Sequence, residues 1–398
     1  MDPSGPAGPA WPHARAAAPI PKGRGTGWQI VHRFERQSRE GWDDGWGTLD
    51  QQQAEWAGSV QAQRPPTRVS TQPAGRILSE NDSPDIAFRL ALNPYRGCEH
   101  GCIYCYARPT HAYLNLSPGL DFETQLMAKP DAAEALRKVF SRPGYVPEQI
   151  NIGSATDVYQ PIEREWRVTQ GIVELMLACR HPFSVVTKSA GILRDLPLLA
   201  ELAQRRLVLV FITLTTLDHE LSRILEPRAA SPTRRLQVIQ ALSQAGVPVG
   251  VNIAPVIPFI NEPEIERIAE AAASHGARSL HWTLLRLPWE VNPLFQQWLD
   301  EHFPDRAARV MARVREWRGG QDYDADPKWR MKGQGVWASL IRQRMEKAAL
   351  RHGLSREVPE LDTTSFIRPA PPQRQEGMAM TAKSDGQLDL FGGPAGLG

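Results

Sequence analysis

The chain has 398 residues, with 46 Lys and Arg against 44 Asp and Glu, so a net charge of +2 excludes a protein that coats polyanions over its whole surface. Only four cysteines occur, three of them within eight residues, which excludes a secreted disulfide framework and points to a reducing, cytoplasmic setting. No run of about 18 apolar residues is present, and the stretch from Met1 to Ala18 has no continuous apolar segment, so neither a membrane span nor a signal peptide is expected.

Residues 1 to about 75 are poor in Leu, Ile and Val and rich in Pro, Gly, Gln and charge. Such a stretch buries too little apolar surface to offset its ordering entropy, so a mostly disordered extension is expected. Five of the 12 tryptophans lie in it (Trp11, Trp28, Trp42, Trp46 and Trp56), which predicts some docking on the body. From 76 to 300 the texture alternates. Apolar runs at 149–153, 183–187, 207–214, 248–257 and 279–285 predict buried parallel strands. Amphipathic patterns at 131–141, 168–179, 192–204, 233–245 and 262–275 predict helices between them, with Gly246 and Gly276 placed to end two of these. Repeated strand–helix units of about six strands predict an α/β fold: a partial (βα)6, TIM-like barrel, part-open instead of closed on eight strands.

From 301 to 357 the pattern becomes helical and basic. Between Asp305 and Arg351 stand 12 Lys and Arg against six Asp and Glu, including Arg306, Arg309, Arg313, Arg315 and Arg318. Such a run reads either as a solvated helix face or as a nucleic-acid surface. From 358 onward Pro, Gly, Gln and Ser return, as in a flexible tail.

The densest chemistry lies at Asn93 to Tyr106, NPYRGCEHGCIYCY. Cys98, Cys102 and Cys105 stand at C-x3-C-x2-C spacing, and Gly97 and Gly101 permit the tight turns that wrap three thiolates around one centre. A [4Fe–4S] cubane held by three thiolates leaves one iron open, a position suited to chelation by the amino and carboxylate groups of S-adenosylmethionine (SAM). One electron from the reduced cluster then cleaves the C–S bond of SAM. Two other readings use the same thiols. Zinc would take the three cysteines with His100 or His111, but structural zinc pairs two separated ligand halves and no second half follows. A four-cysteine electron-transfer cluster would need Cys179, which sits in an apolar helix run and reads as a small buried hydrophobe.

These residues resemble the radical SAM superfamily signature C-x3-C-x-(aromatic)-C, with Tyr104 as the aromatic. The chain resembles more closely the branch that includes spore photoproduct lyase. The resemblance spans 81 to 351 and is carried by Ser83–Ile86, Asn93–Cys102, Tyr106–His111, Thr156–Glu163 and Glu226–Arg228. It implies a partial radical SAM barrel with cluster and SAM at the C-terminal ends of the strands, where barrel enzymes place their sites. It also implies that Tyr104 shapes the SAM site and that Thr156 and Asp157, after the second strand, meet the SAM amino group. Lys188 and Ser189 follow the third strand, where an ammonium can pair with the SAM carboxylate. Thr213 and Thr215 end the fourth strand, and Asn252 lies on the fifth, as further polar contacts. Glu226 and Arg228 read as an ion pair or as ligand contacts. His111 and Tyr113 follow the cluster loop, and a histidine there is more often structural.

One departure stands out. The lyase uses a cysteine to return hydrogen to its product, and no cysteine occurs here between Tyr106 and Ala178. Tyr106, Tyr145 and Tyr159 are the candidate replacements. Near the end, Gln387, Leu388, Leu390 and Phe391 form a Q-L-x-L-F run that looks like the pentapeptide by which bacterial polymerases bind the sliding clamp. Clamp, basic helices and lyase resemblance together point to DNA as the substrate. A flavodoxin- or ferredoxin-type protein is the expected electron donor.

Overall fold

The computed structural model describes residues 20–35 and 65–370. Ten strands are described: β1 (Arg68–Thr71), β2 (Leu78–Glu80), β3 (Leu90–Leu92), β4 (Tyr95–Arg96), β5 (Gln125–Ala128), β6 (Ile150–Ile152), β7 (Phe183–Thr187), β8 (Val208–Thr213), β9 (Val249–Val256) and β10 (Ser279–Leu284). A seven-stranded sheet runs in the order β10-β9-β8-β7-β6-β3-β2. Six of its strands, β3 and β6 to β10, are parallel and follow one another in chain order, and β2 adds antiparallel to β3. This is the part-open arrangement expected for six strand–helix units. β1, β5 and β4 make a separate three-stranded sheet.

The parallel strands are short and almost wholly apolar because helices cover one face and packed side chains the other. Every residue of β3 and β6 is buried. The covering helices are α1 (Ala132–Phe140), α2 (Val168–Ala178), α3 (Leu196–Gln204), α4 (Pro232–Gln244) and α5 (Ile265–Ser274). α5 buries Ile265, Ile268, Ala269 and Ala272, a stripe at helical spacing. α4 starts on Ser231, whose side chain accepts from the Arg234 N–H, with Pro232 in the first turn. The helix predicted over 192–204 starts only at Leu196; residues 190–195 form a 3-10 turn that Ser189 caps through the Gly191 N–H.

Three further helices follow: α6 (Val291–His302), α7 (Pro304–Trp317) and α8 (Gly335–Arg351). Part of their basic run is tied to other groups, while Arg306, Lys328, Lys332, Arg342, Lys347 and Arg351 are exposed and outside the ion pairs. Arg315 pairs with Asp322 at 2.7 Å, Arg330 with Asp85 at 2.6 Å and Arg344 with Glu266 at 2.8 Å. Arg309 lies over the Phe259 ring, 3.9 Å from its centroid, and Arg318 is buried. Sequence counting registers charges but not their partners, which come from elements up to 245 residues away.

Two stretches expected to be flexible lie on the body. In residues 20–35, Arg24 donates to the Glu123 carbonyl at 2.8 Å, the Gly25 N–H to Glu123 Oε2 at 2.9 Å, and Ile30 joins the core. Trp28 packs there too, as its apolar ring predicts, and its carbonyl accepts from Leu120. Of 358–370, Phe366 meets Phe140 edge-on at 5.8 Å, and the Ile367 N–H donates to the Cys179 carbonyl at 2.8 Å. Main-chain hydrogen bonds hold both stretches, and composition does not register those. Gln387 to Phe391 lie outside the described residues, as do Trp11, Trp42, Trp46 and Trp56. Among the described residues no helix is long and apolar enough to cross a membrane.

Candidate active site

The loop between β4 and the turn at Arg108–Leu114 carries the three cysteines. Gly97 and Gly101 have φ of 76° and 68°, the left-handed region that favours glycine. A Cβ on Gly97 would also stand 2.5 Å from Leu126 Cδ2 and 2.8 Å from the Phe122 carbonyl oxygen. The loop is clasped from below by Arg108, which is fully buried. Its guanidinium donates to the carbonyls of Gly101 (3.0 Å), Cys102 (2.9 Å) and Gly119 (2.9 Å), and to Glu123 Oε1 at 2.6 Å. The backbone is tied further by Cys98 N–H to Phe122 carbonyl (2.9 Å) and Ile103 N–H to Leu225 carbonyl (3.1 Å). Sequence reading found the two glycines and missed Arg108, whose role depends on carbonyls that only the folded loop brings together.

Cys98, Cys102 and Cys105 are free thiols and line one cavity of about 350 Å³ at the C-terminal ends of the parallel strands. Burial pushes the Cys98 thiol up, and pushes Cys102 up to about 12, so binding to iron must displace their protons. Among the described residues no three His, Cys, Asp or Glu side chains converge as ligands of one metal ion. A cubane does not ask for that, because each thiolate serves a different iron. Three thiols on one cavity wall, with Cys179 outside that wall, fit a cluster with one open iron.

The polar residues proposed from sequence divide into two groups. Thr156, Asp157, Lys188, Thr213 and Asn252 line the cavity with Tyr104. Thr213 and Asn252 are register partners on β8 and β9, which is why the two face the same space. Ser189 and Thr215 do not line it. Ser189 is spent on its turn, and Thr215 donates to Glu226 Oε1 at 2.6 Å. Asp157 lies at the wall, but its four acceptor positions are taken. Oδ1 accepts from Thr187 Oγ1 (2.7 Å) and the Tyr159 N–H (2.9 Å), while Oδ2 accepts from the Lys188 N–H (2.7 Å) and faces His100 Nδ1 at 3.3 Å. Burial opposes its charge, but His100 and these donors prevail and hold the carboxyl down at about 2. Asp157 thus fixes the turns that carry His100 and Lys188.

Beneath the cavity lies a network that the sequence did not disclose. Glu226 and Arg235 form an ion pair with both side chains at 1% exposure or less. The same carboxylate accepts from Tyr104 Oη and Thr215 Oγ1. Arg235 donates also to the carbonyls of Ala230 (2.8 Å) and Thr213 (3.1 Å). Glu226 does not pair with Arg228, which reaches Glu99 at 3.0 Å instead. Lys188 sits above, its Nζ 5.8 Å from the centre of the Tyr104 ring. Burial disfavours the Lys188 ammonium, yet the negative charge of a Cys102 thiolate and of Glu226 outweighs it and raises the pKa. His111 does not line the cavity: it is buried, with Nε2 3.0 Å from the Gln125 carbonyl. Tyr113 is exposed and away from the cavity wall. Tyr106, Phe88, Arg286 and Met331 also line the cavity, and of these the sequence pointed only to Tyr106.

The sequence pattern described as the Radical SAM superfamily matches residues 92–272. An uncharacterized protein of Mycobacterium tuberculosis is 32% identical over 295 residues, covering 74% of this chain and 80% of that protein. Another, of Methanocaldococcus jannaschii, is 25% identical over 176 residues, covering 44% of this chain and 63% of that protein. Among solved structures, spore photoproduct lyase complexed with dinucleoside spore photoproduct is 15% identical with a TM-score of 0.48, covering 72% of this chain and 80% of that one. Methylornithine synthase is 13% identical with a TM-score of 0.35, covering 72% and 76%. With three cysteines of the signature on the wall of one cavity at the strand ends, and a family match that spans this loop and four of the six parallel strands complete, the chain belongs to the radical SAM superfamily, enzymes that use a [4Fe–4S] cluster and SAM.

Proposed function

We propose that this radical SAM enzyme acts on DNA, repairing or modifying a base. The observation that carries the reading is a group of exposed rings around one guanidinium: Arg33 Cζ lies 4.5 Å from the Phe34 ring centre, 5.2 Å from Tyr113 and 4.4 Å from Trp289. All three rings are about half exposed or more. Arg33 lies over these rings and is itself matched with the buried Glu290 at 2.8 Å, so what the cluster offers is exposed aromatic surface, on which unpaired bases can stack. Trp289 stands three residues beyond Arg286, and Tyr113 closes the turn that follows the cluster loop, so the rings flank elements that build the cavity. The motifs that resemble the spore photoproduct lyase branch support the same substrate.

In this reading Cys98, Cys102 and Cys105 hold the cluster, which when bound supplies one electron to split SAM into methionine and a 5′-deoxyadenosyl radical. Lys188 meets the SAM carboxylate, and Thr156, Thr213 and Asn252 offer hydroxyl and amide partners to its amino and ribose groups. Tyr104 is held against this site by Glu226 and shapes its wall. Tyr106 is the candidate for hydrogen return to the product. Of the three tyrosines considered it is the one in the cavity lining, while Tyr145 bonds His181 at 2.7 Å and Tyr159 is buried. A flavodoxin- or ferredoxin-type donor would supply the electron.

The test is 5′-deoxyadenosine formation by the reconstituted, reduced enzyme with SAM and ultraviolet-irradiated or untreated DNA. DNA should raise it about tenfold over enzyme alone, with base-level products detectable by mass spectrometry. Equal stimulation by RNA or a peptide, or none by any DNA, overturns the substrate assignment. With Tyr106→Phe, SAM cleavage should stay within about twofold while product per 5′-deoxyadenosine falls about tenfold.

The segment Gln387–Phe391 is proposed to tether the enzyme to the sliding clamp, which would raise its effective concentration on DNA. Deleting those five residues should abolish clamp binding in a pull-down and leave SAM cleavage unchanged. Retained binding would make the motif incidental.

A further inference from the structure

Several buried or part-buried arginines in this fold are matched with carboxylates. Arg108 pairs with Glu123, Arg235 with Glu226, and the part-buried Arg194 and Arg330 with Asp195 and Asp85. The part-buried Arg286 and the buried Arg318 differ from these. Neither has a carboxylate within ion-pair distance among the described residues, although they are near enough for the charge of one to depress the pKa of the other. Arg318, 2% exposed, spends Nη1 on the Trp329 carbonyl and Nη2 on the Leu285 carbonyl, both at 2.7 Å. Its Nε has no partner. Its pKa is pulled down to about 10, first by burial and then by Arg286. Two guanidinium groups near enough to oppose each other, with no carboxylate in ion-pair distance and Asp324 acting on Arg318 only from farther off, cost free energy that a bound anion would offset.

Arg286 is the one that an anion can reach, since it lines the cavity. Its backbone is held on both sides: the Leu284 N–H donates to the Met331 carbonyl at 2.9 Å and the Leu285 N–H to the Val256 carbonyl at 3.1 Å. Its guanidinium lies 4.8 Å from the centre of the Tyr106 ring, with Nη1 3.3 Å from the Met331 sulfur. Nε is buried and unpartnered. That leaves one edge of a planar fork without an acceptor, the pattern that suits two oxygens of one anion. Tyr106 beside it is about half exposed, so an aromatic face and an anion-binding edge adjoin. A nucleotide has that combination of base and phosphate.

We infer that Arg286, backed by Arg318, forms an anion subsite at the cavity that receives a phosphate of the substrate. The assignment deepens the nucleic-acid reading and rests on it. Lys188, on the Tyr104 ring next to the cysteines, serves the SAM carboxylate, so the two cations have separate anions. Arg318 is a positioning residue: by holding the Leu285 carbonyl it sets where the Arg286 backbone stands.

The test measures binding to the cluster-loaded, SAM-bound enzyme by equilibrium dialysis. The ligands are dithymidine phosphate, its uncharged methylphosphonate analogue, and inorganic pyrophosphate. Wild type should bind the charged dinucleotide at least about tenfold tighter than the neutral one. Arg286→Gln should bind both alike, and Arg286→Lys should restore part of the preference, because charge returns without the fork. SAM affinity should be unchanged in both variants, which also shows that they fold. The inference is overturned if Arg286→Gln keeps the charge preference, if wild type has none, or if Arg286→Gln loses SAM affinity in parallel, since the residue would then serve the SAM carboxylate. If wild type binds neither dinucleotide, the DNA reading fails by itself. Pyrophosphate bound by wild type and not by Arg286→Gln then upholds the phosphate subsite, and absence of that binding ends it.

Discussion

A Cys102→Ala chain reconstituted without oxygen should lose its brown colour and fall from about four irons per chain to less than one. Its formation of 5′-deoxyadenosine should drop on the order of a thousandfold or more, to the background of the reductant alone. The size of the effect follows from the geometry. The three thiols that line the cavity are the only cysteines on its wall among the described residues, so none can stand in for the one removed. Cys179→Ala is the matched control. That residue is 2% exposed, caps the C-terminal end of α2 and is not in the cavity lining, so its loss should cost packing and leave iron and SAM cleavage unchanged. A Cys102→Ala enzyme that still cleaved SAM would remove the central claim. Equal loss in Cys179→Ala would restore the four-cysteine cluster that the sequence left open.

Glu226→Gln should be the most destabilising single change near the site, at about 3–5 kcal/mol by chemical denaturation. It leaves Arg235 buried at 1% exposure with no counter-charge, and weakens the hydrogen bonds from Thr215 and Tyr104. Replacing both partners, as in Glu226→Gln with Arg235→Met, should recover part of the loss, because the uncompensated charge is then gone. A double variant no more stable than the single one would show that the carboxylate matters through its hydrogen bonds alone. The pair also sets a pH dependence. Burial raises the Glu226 pKa, but the charges of Arg235 and Lys188 and two hydrogen bonds outweigh it, so the folded value lies below 4.5. Its contribution is therefore complete above about pH 4.5 and is lost as the pH falls through the folded value. Glu226→Gln should lack that part of the acid transition.

The parallel strands were legible because burial on both faces makes them unbroken apolar runs, and the runs at 183–187 and 207–214 match β7 and β8 to within one residue at each end. The small sheet was not. β1 reads Arg-Val-Ser-Thr in a stretch rich in Pro and Gln, and its pairing to β5 lies more than 50 residues away. At the site, spacing sufficed to bring the cysteines together, since three residues within eight positions stay on one loop, and all three line one cavity. It did not suffice for Thr215 and Ser189, which stand at strand ends like Thr213 and Lys188 but point elsewhere. A strand end fixes where the backbone is; hydrogen-bond partners from other elements fix where the side chain goes.

By itself, then, the sequence determined what local chemistry dictates: the three cysteines that share one cavity wall, the glycine turns at 97 and 101, and the order of strands and helices. Only the tertiary structure decided which charges cancel. It matched Glu226 with Arg235 instead of Arg228 and absorbed much of the basic run of α7 and α8 into ion pairs and ring contacts. It left Arg286 facing the cavity without a carboxylate. Each of those outcomes rests on the distance between groups far apart in the chain, and the energy of a charge depends on that distance and on the water excluded around it.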